Sequence, residues 1–179
     1  LEDADVVIIN DELGAPFGAG GDVGERSALG MPGNLDLYSV LVLNLSNSIF
    51  APNNHIGDVI AAARTFVRQR VVEAPDNLKS SIMIIAFGRP DALEVVAGFT
   101  KDADALEQAL DTLAMSQARG TTDLYGAYTR ALDEVDAQGQ VMGLPERSII
   151  FFTDGIHEAG DEAELHRQAL ARKEMSSAE

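Results

Sequence analysis

The sequence contains no cysteine and no tryptophan, and aromatic residues make up only 6% of its 179 positions. Without cysteine there can be no disulfide, no thiolate metal ligand and no cysteine nucleophile. That absence does not point to a compartment. Positive charge is scarce as well: 13 Lys and Arg stand against 29 Asp and Glu, for a formal net charge of −16. With no basic cluster, nucleic acid and anionic membrane surfaces are excluded as partners, because both need positive charge facing phosphate. Long apolar runs are missing too. Ser39 to Leu43 and Ser148 to Phe152 are strand-sized, far short of the ~18–20 residues of a membrane span, so no direct membrane insertion is expected.

What remains is a chain rich enough in apolar residues, at 46%, to fold despite its acidity, and long enough for one domain with a sizeable core. Asp5 to Asn10 reads as a short strand. Gly14 to Gly33 is Gly- and Pro-rich and lacks periodicity, so residues 1–36 are assigned to a strand and a loop or linker, and residues 37–179 to the domain. Leu37 to Leu43 and Ser81 to Phe87 are buried-strand runs, and Leu93 to Phe99 is expected at a sheet edge. Between the first two, Asn44 to Asn54 is a polar turn, and apolar residues at helical spacing mark a helix from about His55 to Glu73. Thr100 is expected to cap a helix from Asp102 to Met115. A second helix follows Gly120-Thr121-Thr122-Asp123 and runs to about Ala137. Arg147 to Phe152 is the last strand, and Glu162 to Lys173 a final, mostly polar helix.

Strands that are apolar throughout and alternate with long helices predict an α/β fold: a Rossmann-like, doubly wound, mostly parallel central sheet flanked by helices. Because no strand follows the final helix, one more strand and helix are expected beyond residue 179. The ends at Leu1 and Glu179 are read as those of a segment of a longer polypeptide, so a missing signal peptide is uninformative.

In such folds ligands bind beyond the carboxyl ends of the strands, where the strand order reverses. Three polar segments fall at such ends: Asn44-Leu45-Ser46-Asn47-Ser48, Gly120-Thr121-Thr122-Asp123 and Thr153-Asp154-Gly155. Together they offer hydroxyls, an amide and one or two carboxylates, which are hard oxygen donors of the kind Mg²⁺ takes.

From Leu37 to Lys173 the sequence resembles the von Willebrand factor A domain family. That family carries a metal-ion-dependent adhesion site made of a D-x-S-x-S loop, a threonine before a helix, and an Asp in a T-D-G turn. Leu41 to Ile49 is similar to the strand and loop, Gly120 to Ala127 to the helix start, and Ile149 to Gly155 to the strand and turn. The resemblance implies a Mg²⁺ site at Asn44, Ser46, Ser48, Thr122 and Asp154. The three hydroxyls would ligate directly and the two remaining positions largely through water. It further implies a protein partner whose acidic side chain completes the ion's coordination. One departure stands out: Asn44 occupies the position of the first Asp, which removes a negative charge and should weaken a hard divalent ion. Asp123 could supply charge nearby.

Simpler roles exist for the same residues. Ser46 and Ser48 could cap the following helix, Thr122 is a good N-cap, and Asp154 suits a turn. His55, His157 and His166 are too scattered for a metal set and read as solvated. Gly18 to Gly24 lacks the G-K-[ST] of a phosphate loop, and the acidic stretch from Glu158 to Glu164 reads as a solvated helix start. Tyr125 and Tyr128 are expected to pack in the core. The leading expectation is a non-enzymatic protein-binding or adhesion module of a larger extracellular or cell-envelope protein. A metal-free structural or assembly domain is the alternative. A hydrolase or phosphoryl-transfer enzyme ranks far behind, because no nucleophile elbow, P-loop or dinucleotide fingerprint is present.

Overall fold

The computed structural model describes residues 6–10, 37–50, 55–138, 146–153, 167–168 and 170–171. Five strands form one sheet: β1 (Val6–Asn10), β2 (Leu37–Asn44), β3 (Ser80–Phe87), β4 (Glu94–Thr100) and β5 (Glu146–Phe152), in the order β1-β5-β2-β3-β4. The three central strands run parallel, β2 pairing with β3 on one side and β5 on the other, while β1 and β4 close the two edges antiparallel. The strand read at Asp5 to Asn10 is therefore an edge of this same sheet. The sheet is mixed, with its parallel part at the centre.

Helices are α1 (Asn47–Phe50), α2 (Ile56–Val67), α3 (Ala103–Ala114) and α4 (Leu124–Ala137). The central strands are apolar over residues 40–43, 82–87 and 149–152, where both of their faces are covered. Leu41, Leu43, Ile82, Ile84, Ile150 and Phe152 pack against α2 and α3. Val40, Val42, Met83, Ile85, Ile149 and Phe151 pack against α4 on the other side. Alternation along each strand thus feeds two cores, and a fully buried Leu or Ile in either contributes about 1.5–3 kcal/mol. Tyr128 lies over Phe151 in the second core, at 6.1 Å between ring centroids, and Tyr125 is half-buried.

Several boundaries differ from the sequence reading. The helix expected from His55 to Glu73 is α-helical only to Val67 and continues as a π-turn over Arg68–Val72, closed by Glu73 N–H donating to the Arg68 carbonyl at 2.9 Å. The cap of α3 is Asp102, whose carboxylate accepts from the N–H groups of Asp104 and Ala105. Thr100 instead accepts from the Asp102 N–H. The polar turn after β2 contains the single-turn helix α1. The Gly14–Gly33 loop, Asp154, His157, His166, the Glu158–Glu164 stretch and all of the Glu162–Lys173 helix except four helical residues lie outside the described residues. Among the described residues no helix is long and apolar enough to cross a membrane.

Candidate functional site

The strand order reverses at β2, which has β3 on one side and β5 on the other, so a crevice is expected where these strands end. Asn44 is the last residue of β2 and is fully buried. Its Oδ1 accepts the Ser46 N–H at 2.8 Å, a local turn that Asn side chains form readily. Its Nδ2 donates to Thr153 Oγ1 at 3.2 Å, just past the end of β5. One side chain therefore joins the ends of two parallel strands. Ser46, also buried, shares a hydrogen bond of 2.8 Å with Ser48, which sits half-exposed in α1.

The third segment is threaded by its backbone between the first and the Gly88-Arg89 turn after β3. The Arg119 N–H donates to the Leu45 carbonyl at 2.7 Å, and the Asn47 N–H donates to the Gly120 carbonyl at 2.7 Å. On its other side the Arg89 N–H donates to the Arg119 carbonyl at 3.0 Å, and the Asp123 N–H to the Gly88 carbonyl at 2.8 Å. Gly120 takes the left-handed conformation, φ 86°, that turns the chain toward Thr122. Gly88 admits the crossing segment: a Cβ there would lie 2.5 Å from Arg119 Cβ and 2.7 Å from its carbonyl oxygen. Arg119 is anchored outside this weave by Glu94 at 2.9 Å.

Thr122 is completely buried, and its Oγ1 has no hydrogen-bond partner among the described residues. Leaving a buried hydroxyl unpaired costs about 1–3 kcal/mol, so it calls for a reason. Thr122 does not cap α4. Asp123 does, with Oδ1 accepting the Gly126 N–H at 3.0 Å, which commits that carboxylate to the helix. His55 is exposed, and its ring nitrogen lies 3.3 Å from the Asp58 carboxylate. Of the five expected site residues, Asn44, Ser46 and Ser48 lie on one loop. Thr122 lies on a segment hydrogen-bonded to that loop, and Asp154 is outside the described residues. Gly88 and Arg119 were missed as parts of the site, and Thr153, read as part of the third polar segment, was not counted among its site residues. The glycine directly after an apolar strand, in Phe87-Gly88-Arg89-Pro90, was the available signal for one of them.

The family model for the von Willebrand factor type A domain matches residues 39–157. The chain belongs to that family. No curated protein matches the sequence. Among solved structures, this A domain is similar to the vWF domain of the type V pili tip protein Mfa5 from Porphyromonas gingivalis. The TM-score is 0.51 at 18% identity, covering 65% of this chain and 36% of that one. It is also similar to proximal thread matrix protein 1 from the mussel byssus, solved with a zinc-occupied MIDAS motif. There the TM-score is 0.54 at 15% identity, covering 79% of this chain and 37% of that one. The A domain thus spans little more than a third of either chain. At these identities the likeness shows the fold.

An A domain with the family's adhesion site would hold a divalent cation at this rim. The hydroxyls of Ser46, Ser48 and Thr122 are the right donors in kind, and among the described residues nothing bonds to Thr122 Oγ1. Charge is where the set falls short. Among the described residues no group of three or more His, Cys, Asp or Glu could hold a metal, and Asp123 serves its helix. Asn44 turns an N–H, the positive end of a dipole, toward Thr153. Affinity for hard cations grows with ligand charge, so the described residues do not fit a divalent ion well.

Proposed function

We propose that this A domain is a non-enzymatic adhesion or assembly module of an extracellular or cell-envelope protein. It engages a protein partner through the rim formed by Asn44, Ser46, Ser48, Thr122 and Asp154. The observation that carries this reading is the buried Thr122 hydroxyl, unpartnered among the described residues, at the point where the strand order reverses. A group kept unsatisfied in the free protein is one that a ligand can satisfy. The rim's described side chains are hydroxyls and an amide, with no nucleophile and base within reach of each other, which favours binding over turnover. Its structural neighbours, a pilus tip protein and a byssal thread matrix protein, support an adhesive or assembly role outside the cell.

The test uses Thr122→Val, which keeps the shape and removes the hydroxyl. Beads coated with wild type or variant are passed over a panel of extracellular matrix proteins and intact cells. Retention should fall about tenfold with the lost hydrogen bond, while urea denaturation shows the variant more stable by about 1 kcal/mol. Wild-type beads that bind nothing, or variant beads retained as well as wild type, would remove the rim from the function.

A further inference from the structure

We infer that the Asn44 side chain replaces the divalent ion as the tie between the rim loops, so that the rim is held together and meets its partner without a metal. This rests on the adhesion reading for the partner, and on the hydrogen bonds alone for the tie.

Asn44 is completely buried. A carboxylate buried at that position would need a compensating cation, because removing a charge from water costs several kcal/mol unless it is paired. An amide needs only its hydrogen bonds, and both of its ends have them. Oδ1 holds the β2–α1 loop through the Ser46 N–H, and Nδ2 holds the end of β5 through Thr153 Oγ1. A carboxylate has no hydrogen to donate to Thr153. It could only accept from that hydroxyl, and would present a negative charge to be neutralised. The remaining segment is fastened to the first by backbone bonds, Arg119 to Leu45 and Asn47 to Gly120. No described loop therefore depends on an ion to stay in register. The exchange also changes what the partner must offer. Without a cation, a partner carboxylate would have only hydroxyls to meet, on a chain of net charge −16. The rim then favours a neutral or basic group that hydrogen-bonds to Ser48, whose hydroxyl belongs to a partly exposed residue.

The experiment compares thermal melting of wild type, Asn44→Asp and Thr153→Val in EDTA, in millimolar Mg²⁺ and in millimolar Mn²⁺. Wild type should move by less than about 1 °C between these conditions. Asn44→Asp should melt lower than wild type in EDTA and recover by at least about 3 °C when Mg²⁺ or Mn²⁺ is added. Thr153→Val, which loses the acceptor for Nδ2, should be destabilised equally in all three. A wild-type melting point that climbs with either ion overturns the inference, and so does an Asn44→Asp protein that ignores both. If Asn44→Asp does not fold, the wild-type comparison decides alone. Bead retention is then repeated in EDTA. Retention that needs Mg²⁺ overturns the metal-free rim, whereas no retention under any condition overturns the adhesion reading and leaves the melting result to stand or fall separately.

Discussion

At the scale of single residues, the rim is made by small groups placed where larger or charged ones would not fit. Gly88 is the clearest case. The atoms its Cβ would strike are the Cβ and backbone of Arg119, neither of which can swing aside. Gly88→Ala should therefore destabilise the domain by about 1–3 kcal/mol. It should also loosen the bond from Arg119 to Leu45 that joins two rim loops. Gly57 in the first turn of α2 has open space around it, so Gly57→Ala should instead stabilise by about 0.5–1 kcal/mol through helix propensity. Urea unfolding of the pair checks this, and equal effects of the same sign would show that packing at Gly88 has been misjudged. Neither effect follows from composition. Gly88 follows one apolar run and Gly57 lies within another, and only the path of the Arg119 segment through space separates them. Asn44, by contrast, was legible as unusual from the sequence, because it sits where the resembling motif has an acid. What the sequence could not give was the direction of its amide, which depends on Thr153, 109 positions away.

At the scale of elements, existence and type were legible, and the central strands' ends more so than the helix ends. The runs from Leu37, Ser81 and Arg147 became β2, β3 and β5 within one residue at each end, because an unbroken apolar strand has few other ways to bury both faces. The α3 cap was misplaced by two residues, and Thr122, weighed as an N-cap, stands one residue before the α4 cap Asp123. In Thr100-Lys101-Asp102 and Thr122-Asp123 two cap-competent residues stand close together, and the choice turns on which one keeps non-helical dihedrals. The π-turn at Arg68–Val72 left no mark on the periodicity, since Val71 still points to the core. The α4 cap has a consequence of its own. If Asp123 acts through the Gly126 N–H and not through an ion, Asp123→Ala should cost about 1 kcal/mol of stability whether or not Mg²⁺ is present. Asp123→Asn should keep most of it, because an amide oxygen caps nearly as well. Guanidinium melts of both variants with and without Mg²⁺ measure this, and a loss seen only with the ion would give Asp123 a different role.

At the scale of the whole molecule, the sheet order brings three sequence-distant segments to one rim, while the charge acts on the entire surface. Ion pairs such as Arg64 with Asp111, Lys79 with Asp76 and Arg130 with Glu134 are exposed and individually worth little. They leave a net charge of −16 whose self-repulsion opposes compaction. Screening shortens from ~10 Å at 0.1 M salt to ~3 Å at 1 M, so the melting temperature should rise by a few degrees, roughly 3–5 °C, as NaCl increases over that range. The decisive comparison is between NaCl and MgCl₂ at equal ionic strength. Diffuse repulsion responds mainly to ionic strength, so for wild type the two salts should give the same melting curve within about 1 °C. A cation seated among Ser46, Ser48 and Thr122 would bind the folded state alone, and would raise the MgCl₂ curve above the NaCl curve in a saturable way. Parallel curves would locate the ion response in the surface field of the acidic chain. Curves that separate at low millimolar Mg²⁺ would return the rim to the family's metal-dependent pattern despite Asn44.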